Sequence, residues 1–175
     1  MISVSLRIWR SPHVKLSAAA LFLLLIFSQQ LTSLFLFDGV FICSTDVLIS
    51  PFRFCLKKDG QVYCSSVCEG ECDIKIYMAT IAVILALYMP VVLVAFALLA
   101  MLFTVYARET ATLTFSMICQ AASSLLIVAG IIVFLLFNWQ YVSWEALTPW
   151  FYMCMGVQVE LIITTVLIGI LRRKI

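Results

Sequence analysis

The sequence predicts an all-α membrane protein: a four-transmembrane-helix bundle with a small disulfide-stapled extracellular β-sheet between helices 1 and 2. Three observations carry this. Long apolar runs occupy residues 16–37, 76–107, 111–137 and 150–171. Apolar residues make up 65% of the 175 and charged residues 11%, against about 45–50% and 25% in soluble domains. A chain of this length cannot hide that much apolar surface from water, so the solvent of these runs is lipid. Finally, five of the seven cysteines fall in one polar stretch, residues 38–75, which points to an oxidising compartment. The length suits a single domain, 1–175.

The first run, about 22 residues without a charge, is long enough to cross roughly 30 Å of hydrocarbon. Arg7, Arg10 and Lys15 precede it, with His13, the only histidine, in a flank that reads as cytosolic. One histidine cannot build a metal site. A cleaved signal peptide fits less well than a retained helix. Ser28-Gln29-Gln30 offers no Ala-x-Ala-like site, and apolar character resumes through Phe37. Gln29 and Gln30 are expected to face the bundle as hydrogen-bonding groups.

The outer loop 38–75 holds six acids against four bases and is too short to bury a core alone. Asp59-Gly60 is a two-residue hairpin signal, because both turn positions need φ > 0. A turn there sets Lys58 opposite Gln61, Lys57 opposite Val62, Leu56 opposite Tyr63 and Cys55 opposite Cys64. Alternation outward from the turn puts the cysteines on a non-hydrogen-bonded pair. Their Cα atoms are then about 4.5 Å apart, within disulfide range. Cys55–Cys64 is therefore the expected bridge. Cys43, Cys68 or Cys72 could supply a second, and Cys154, near the outer end of the last run, is a candidate partner for the odd thiol. Cys64, Cys68 and Cys72 are spaced by four, but no histidine accompanies them and no Cys-x-x-Cys knuckle occurs, so no metal is expected.

The second run, about 32 residues, exceeds what a bilayer needs, so tilt or projection is expected. Pro90 should kink it, and Ala79, Ala82 and Ala86 offer a small-residue packing face. Arg108-Glu109-Thr110 is a tight link that makes the second and third runs antiparallel neighbours. Gln120, Ser123, Ser124 and Gly130 give the third run a polar and small face. The outer loop 138–149 with its flank carries Trp139, Tyr141, Trp144, Trp150 and Tyr152, an interfacial aromatic belt.

Lysines and arginines flanking the runs number seven at the two termini and the 108–110 link, against four in the outer loops. The positive-inside rule then places both termini in the cytosol, with the plasma membrane preferred over the endoplasmic reticulum. There is no Asn-x-Ser/Thr sequon, since Asn138 is the only asparagine.

Glu160 lies within the fourth run, where an ionisable residue is a functional hypothesis by default. It reads either as an interaction site for a basic or polar partner helix, or as a protonated acid hydrogen-bonded to Gln29, Gln30, Ser123 or Ser124. The second is the expectation. No lysine or arginine lies inside any run, so an internal ion pair is excluded, and one acid makes no ion pathway. Catalysis has no support: there is no Ser/His/Asp set, no phosphate loop and no cofactor motif. Nucleic acid is excluded by the absence of a basic run interleaved with aromatics. An intramembrane thiol oxidoreductase would want a Cys-x-x-Cys pair, whereas Cys119 and Cys154 stand alone on separate runs.

The layout resembles the superfamily of claudins, peripheral myelin proteins and epithelial membrane proteins. The family signature is Gly-Leu-Trp, two residues, Cys, eight to ten residues, Cys. The matching stretch is Ser50-Pro51-Phe52, Arg53-Phe54, Cys55, eight residues and Cys64. Both cysteines match, and Phe52 stands where the family has tryptophan. Phe37 matches an upstream aromatic position, and Phe151, Tyr152 and Gly156 echo the start of the family's fourth span. The resemblance implies a divergent four-span member, with a four-helix bundle under an extracellular β-sheet. It also implies a role in adhesion, in paracellular barriers, or as an accessory subunit. The tail ends Lys174-Ile175, unlike the PDZ-binding end of classical claudins. Glu69, Glu71 and Asp73 read as a solvated acidic surface. The expected function is that of a non-enzymatic accessory, regulatory or assembly subunit, with claudin-like adhesion or barrier formation as the alternative. Its partners would be the lipid bilayer and other membrane proteins, met laterally or in trans, or further copies of itself.

Overall fold

A computed structural model of the chain describes residues 12–35, 39–51, 53–58, 61–66, 74–107 and 110–173. It contains four long helices, α1 (Pro12–Phe35), α2 (Ile74–Ala107), α3 (Thr110–Phe137) and α4 (Pro149–Arg172). Each is long and apolar enough to cross a membrane. Their apolar residues run almost all the way round, which marks helices solvated by lipid on one side and by each other on the other. Leu21, Leu25, Leu99, Ile118, Leu125 and Leu136 are each more than half exposed. A narrower stripe on every helix is buried, including Leu23 and Ile26 on α1, Leu87, Val94 and Met101 on α2, Leu113 and Ile127 on α3, and Leu161 and Ile168 on α4.

The helices close a ring: α1 packs on α2 and α4, α2 on α3, and α3 on α4. The α2–α3 pair is joined across residues 108–109, so the two are antiparallel neighbours by connectivity alone. Small residues bring them close. A Cβ built on Gly130 would stand 3.1 Å from the Ala86 Cβ and 3.0 Å from Leu87 Cδ2. Of the expected alanine face, Ala86 thus makes the close approach, while Ala82 is exposed. The α2 helix runs through Pro90 without a break. The Pro90 carbonyl accepts a hydrogen bond from Ser123 Oγ on α3 at 3.3 Å.

Between α1 and α2 lies an antiparallel sheet of four strands in the order β1 (Ile42–Cys43), β2 (Val47–Ile49), β3 (Arg53–Lys58), β4 (Gln61–Ser66). The β3–β4 register pairs Lys58 with Gln61, Lys57 with Val62, Leu56 with Tyr63 and Cys55 with Cys64, as the turn chemistry required. Asp59, Gly60 and Phe52 lie outside the described residues, as do Phe37, Cys68, Cys72, Glu69, Glu71 and Asp73.

The sheet caps the end of the bundle where α1 and α3 finish and α2 and α4 begin. Its plug is Phe41, fully buried, with ring centroids 5.3 Å from Phe134 on α3 and 5.8 Å from Phe151 on α4, both edge-on. That geometry suits the ring quadrupole. Gly39 precedes it at φ 57°, where an added Cβ would stand 2.7 Å from the Leu34 carbonyl oxygen at the end of α1. Only glycine turns the chain there.

The second loop joins the sheet, which the sequence did not announce. Leu147 bridges antiparallel to Ile42, Cys43 N–H donates to the Ala146 carbonyl at 2.7 Å, and Thr148 N–H donates to the Phe41 carbonyl at 3.0 Å. Thr148 then works twice. Its Oγ1 accepts from Phe151 N–H as the N-cap of α4, ahead of Pro149 at the first helical turn. The same hydroxyl donates to the Val40 carbonyl at 2.5 Å. One side chain therefore satisfies a helix-end donor and ties α4 to the sheet.

Candidate interaction site

Burial along α4 decides what its polar residues can do. Val157, Leu161, Thr164 and Ile168 form its packed stripe, at the spacing of one helix face. Gln158 lies on one side of it and is 7% exposed. Its Nε2 donates to Ser124 Oγ on α3 at 2.6 Å. One turn and more toward the C-terminus, Thr165 Oγ1 donates to Gln120 Oε1 at 3.3 Å, and Gln120 Nε2 donates to Ser116 Oγ at 3.1 Å. Ser116 Oγ in turn donates to the Ala97 carbonyl of α2 at 2.8 Å. This seam runs from α4 through α3 to α2. Gln120 and Ser124 of the polar face expected of α3 are its centre, and Ser116, Gln158 and Thr165 are the members that sequence reasoning missed. A single glutamine or threonine among apolar residues carries no signal of which neighbour it meets.

Glu160 flanks the same stripe on the other side. Two residues along a helix are about 200° apart, so with Gln158 turned to α3, Glu160 is turned away from it. It is half-buried. Its backbone carbonyl accepts from Thr164 Oγ1 at 2.7 Å, but among the described residues its carboxyl group has no hydrogen-bond or ion-pair partner. The expected internal acceptors are not available to it. Ser123 and Ser124 lie on α3, from which Glu160 is turned away, and there they bond the Pro90 carbonyl and Gln158, while Gln30 is turned into the bundle at 1% exposure and Gln29 Oε1 is buried without a partner. The expected hydrogen bond of Glu160 to these groups is therefore not made.

Gln29 and Gln30 face the bundle as expected, yet Gln29 Oε1 and both amide atoms of Gln30 are buried without a partner, as is Gln158 Oε1. Nearby, Tyr88 Oη on α2 donates to the Leu34 carbonyl at 3.2 Å, and Thr32 Oγ1 lies 3.6 Å from Met153 Sδ of α4.

Cys55 and Cys64 form the disulfide, with Cα atoms 4.0 Å apart. Cys43 is a free thiol, exposed on β1, and Cys154 is free and buried in α4. Neither makes the second bridge considered for it, because Cys43 points to solvent and Cys154 packs among the helices. Cys119 is likewise buried and free on α3. Among the described residues no group of three metal-ligating side chains comes together.

The β3–β4 hairpin exposes the cross-strand pair Leu56 and Tyr63 at 51% and 58%, on the face whose other members Val47 and Ile49 are buried, and Val62 at 50% on the opposite face. Trp139 and Trp144 in the second loop are exposed at 75% and 85%, at the level where a bilayer interface would meet the bundle. No family model matches the chain, and no curated protein matches it.

Proposed function

We propose that the protein is a non-enzymatic accessory or assembly subunit of a membrane complex, held to its partner laterally through the Glu160 face of α4. The observation that carries this is the carboxyl group of Glu160, placed within a helix long and apolar enough to span a membrane and without a partner among the described residues. An acidic residue at the centre of a spanning helix costs about 3 kcal/mol on insertion scales, and polar groups between helices are the usual compensation. Ser116, Gln120, Ser123 and Ser124 of α3 and Thr165 of α4 are bonded within the fold, and the unpaired amide of Gln30 is shut inside the bundle. A basic or amide side chain on a neighbouring protein's helix is what remains.

We place both termini in the cytosol and the sheet outside, on the flanking charges and the bridged hairpin, and favour the plasma membrane. The bridged hairpin between the first two spans also supports kinship with the claudin and peripheral-myelin-protein superfamily. The test is a photo-crosslinking residue at Ile163, half-exposed and one turn from Glu160. It is expected to give an adduct of defined mass in native membranes. Glu160→Leu should abolish the adduct and Glu160→Gln keep part of it, with Cys55–Cys64 oxidation reporting that the fold is intact. An undiminished adduct in Glu160→Leu sinks the reading.

A second reading, contact between cells, rests on the exposed Leu56–Tyr63 pair. Expressed in non-adherent cells, the protein would collect at contacts, and Leu56→Asp would disperse it. Uniform surface staining of the unaltered protein counts against it.

A further inference from the structure

At the opposite end of the bundle from the sheet, α3 and α4 part to leave a groove of about 750 Å³. It is lined by Met117 on α3 and by Thr165, Val166, Gly169 and Ile170 on α4, with Arg172 and Arg173 at its mouth. We propose that this groove binds one anionic phospholipid, with an acyl chain along Met117, Val166 and Ile170 and the anionic headgroup on the two arginines. The proposal is independent of the Glu160 contact.

Three features argue for it. First, a glycine sets the packing beside the groove. A Cβ on Gly169 would stand 3.2 Å from Met117 Cε, so a larger residue there would drive the Met117 side chain into the groove. Second, its shape fits a lipid leaflet. From Thr165 to Arg173 the helix rises about 12 Å, most of the half-thickness of a hydrocarbon core of roughly 30 Å. Val166 and Ile170 are about half exposed along it, so the groove opens sideways to lipid and not only to water. Third, the charge is one-sided. Arg172 and Arg173 are exposed and have no ion-pair partner among the described residues, and no acidic residue lines the groove. Guanidinium groups bind phosphate bidentately, and basic pockets between helices at a membrane face are a recurrent form of lipid headgroup site. A soluble anion would use the mouth and leave the walls bare. A zwitterionic lipid would bring a cation beside its phosphate and leave the arginines' net charge uncompensated.

The experiment is native mass spectrometry of the full chain released from vesicles of phosphatidylcholine with phosphatidylserine at equal mole fraction. One retained phosphatidylserine is expected, in preference to phosphatidylcholine. Arg172→Gln with Arg173→Gln should cut that preference roughly 25-fold, since each cation near an anionic surface contributes about a factor of five. Gly169→Phe should reduce retention of both lipids by filling the groove. Inorganic phosphate at millimolar concentration should not displace the lipid. Oxidation of Cys55–Cys64 checks each variant's fold. Equal retention of the two lipids by the unaltered protein overturns the proposal. So does displacement by phosphate, or an arginine effect with no Gly169→Phe effect, which would reduce the site to diffuse surface attraction.

Discussion

At the scale of single residues, the bundle interior is not uniformly well paired. Gln30 is 1% exposed with neither amide atom partnered. A buried unsatisfied polar group costs about 1–3 kcal/mol. Gln30→Leu, of similar length, is therefore expected to raise the protein's thermal midpoint in detergent or nanodiscs. A lowered midpoint would mean that Gln30 holds something the fold needs. The sequence made Gln30 legible as inward-facing, because a polar residue in a spanning helix avoids lipid. It could not show that the amide goes unpaired, since pairing depends on rotamers and on helix rotation. The same limit explains Glu160. Its depth was legible, but whether it met Ser124 was decided by the rotation of α4, which turns Gln158 to that hydroxyl and Glu160, about 200° round the helix, away from it.

At the scale of elements, local signals were read correctly where one short stretch contained all the information. Asp59-Gly60 fixed a register of six residue pairs, and the cysteines fell opposite each other within it. The helices were equally legible from their apolar runs, with ends shifted by a few residues where Pro12 and Pro149 could open a helix. The bridge from Leu147 to Ile42 was not legible. Its partners are over a hundred residues apart, and a single bridge has no periodicity. The cross-link has a measurable worth. Cys55 and Cys64 are nine residues apart in sequence, and closing a loop of that size removes about 2.7 kcal/mol of unfolded-state entropy on the chain-entropy account. Cys64→Ser is expected to open the β3–β4 hairpin to limited proteolysis near residues 57–62 at low protease, while the helices stay protected. Equal protection of the hairpin would show that β2 pairing and the helices below already suffice to hold it.

At the scale of the whole molecule, the ring of four helices has a capped end and an open end, and the two differ in kind. The capped end carries the sheet, the disulfide and the exposed tryptophans. The open end carries Arg172 and Arg173. Positive charge resists translocation, and a disulfide persists outside the cytosol; on these grounds we propose the open end in the cytosol and the sheet outside. Absence of a sequon removes the glycan as a reporter, but the fold supplies another. Cys43 is a free, exposed thiol on β1, whereas Cys119 and Cys154 are buried. With Cys68 and Cys72 changed to serine to clear the same loop, a membrane-impermeant maleimide added to intact cells is expected to label Cys43. A cysteine placed at Arg173 should react only after the membrane is permeabilised. The reverse pattern would invert the molecule and leave the bridged sheet in a reducing compartment. It would also move the arginine-mouthed groove to the outer leaflet. Because the two thiols sit at opposite ends of one rigid bundle, a mixed result cannot come from a single topology.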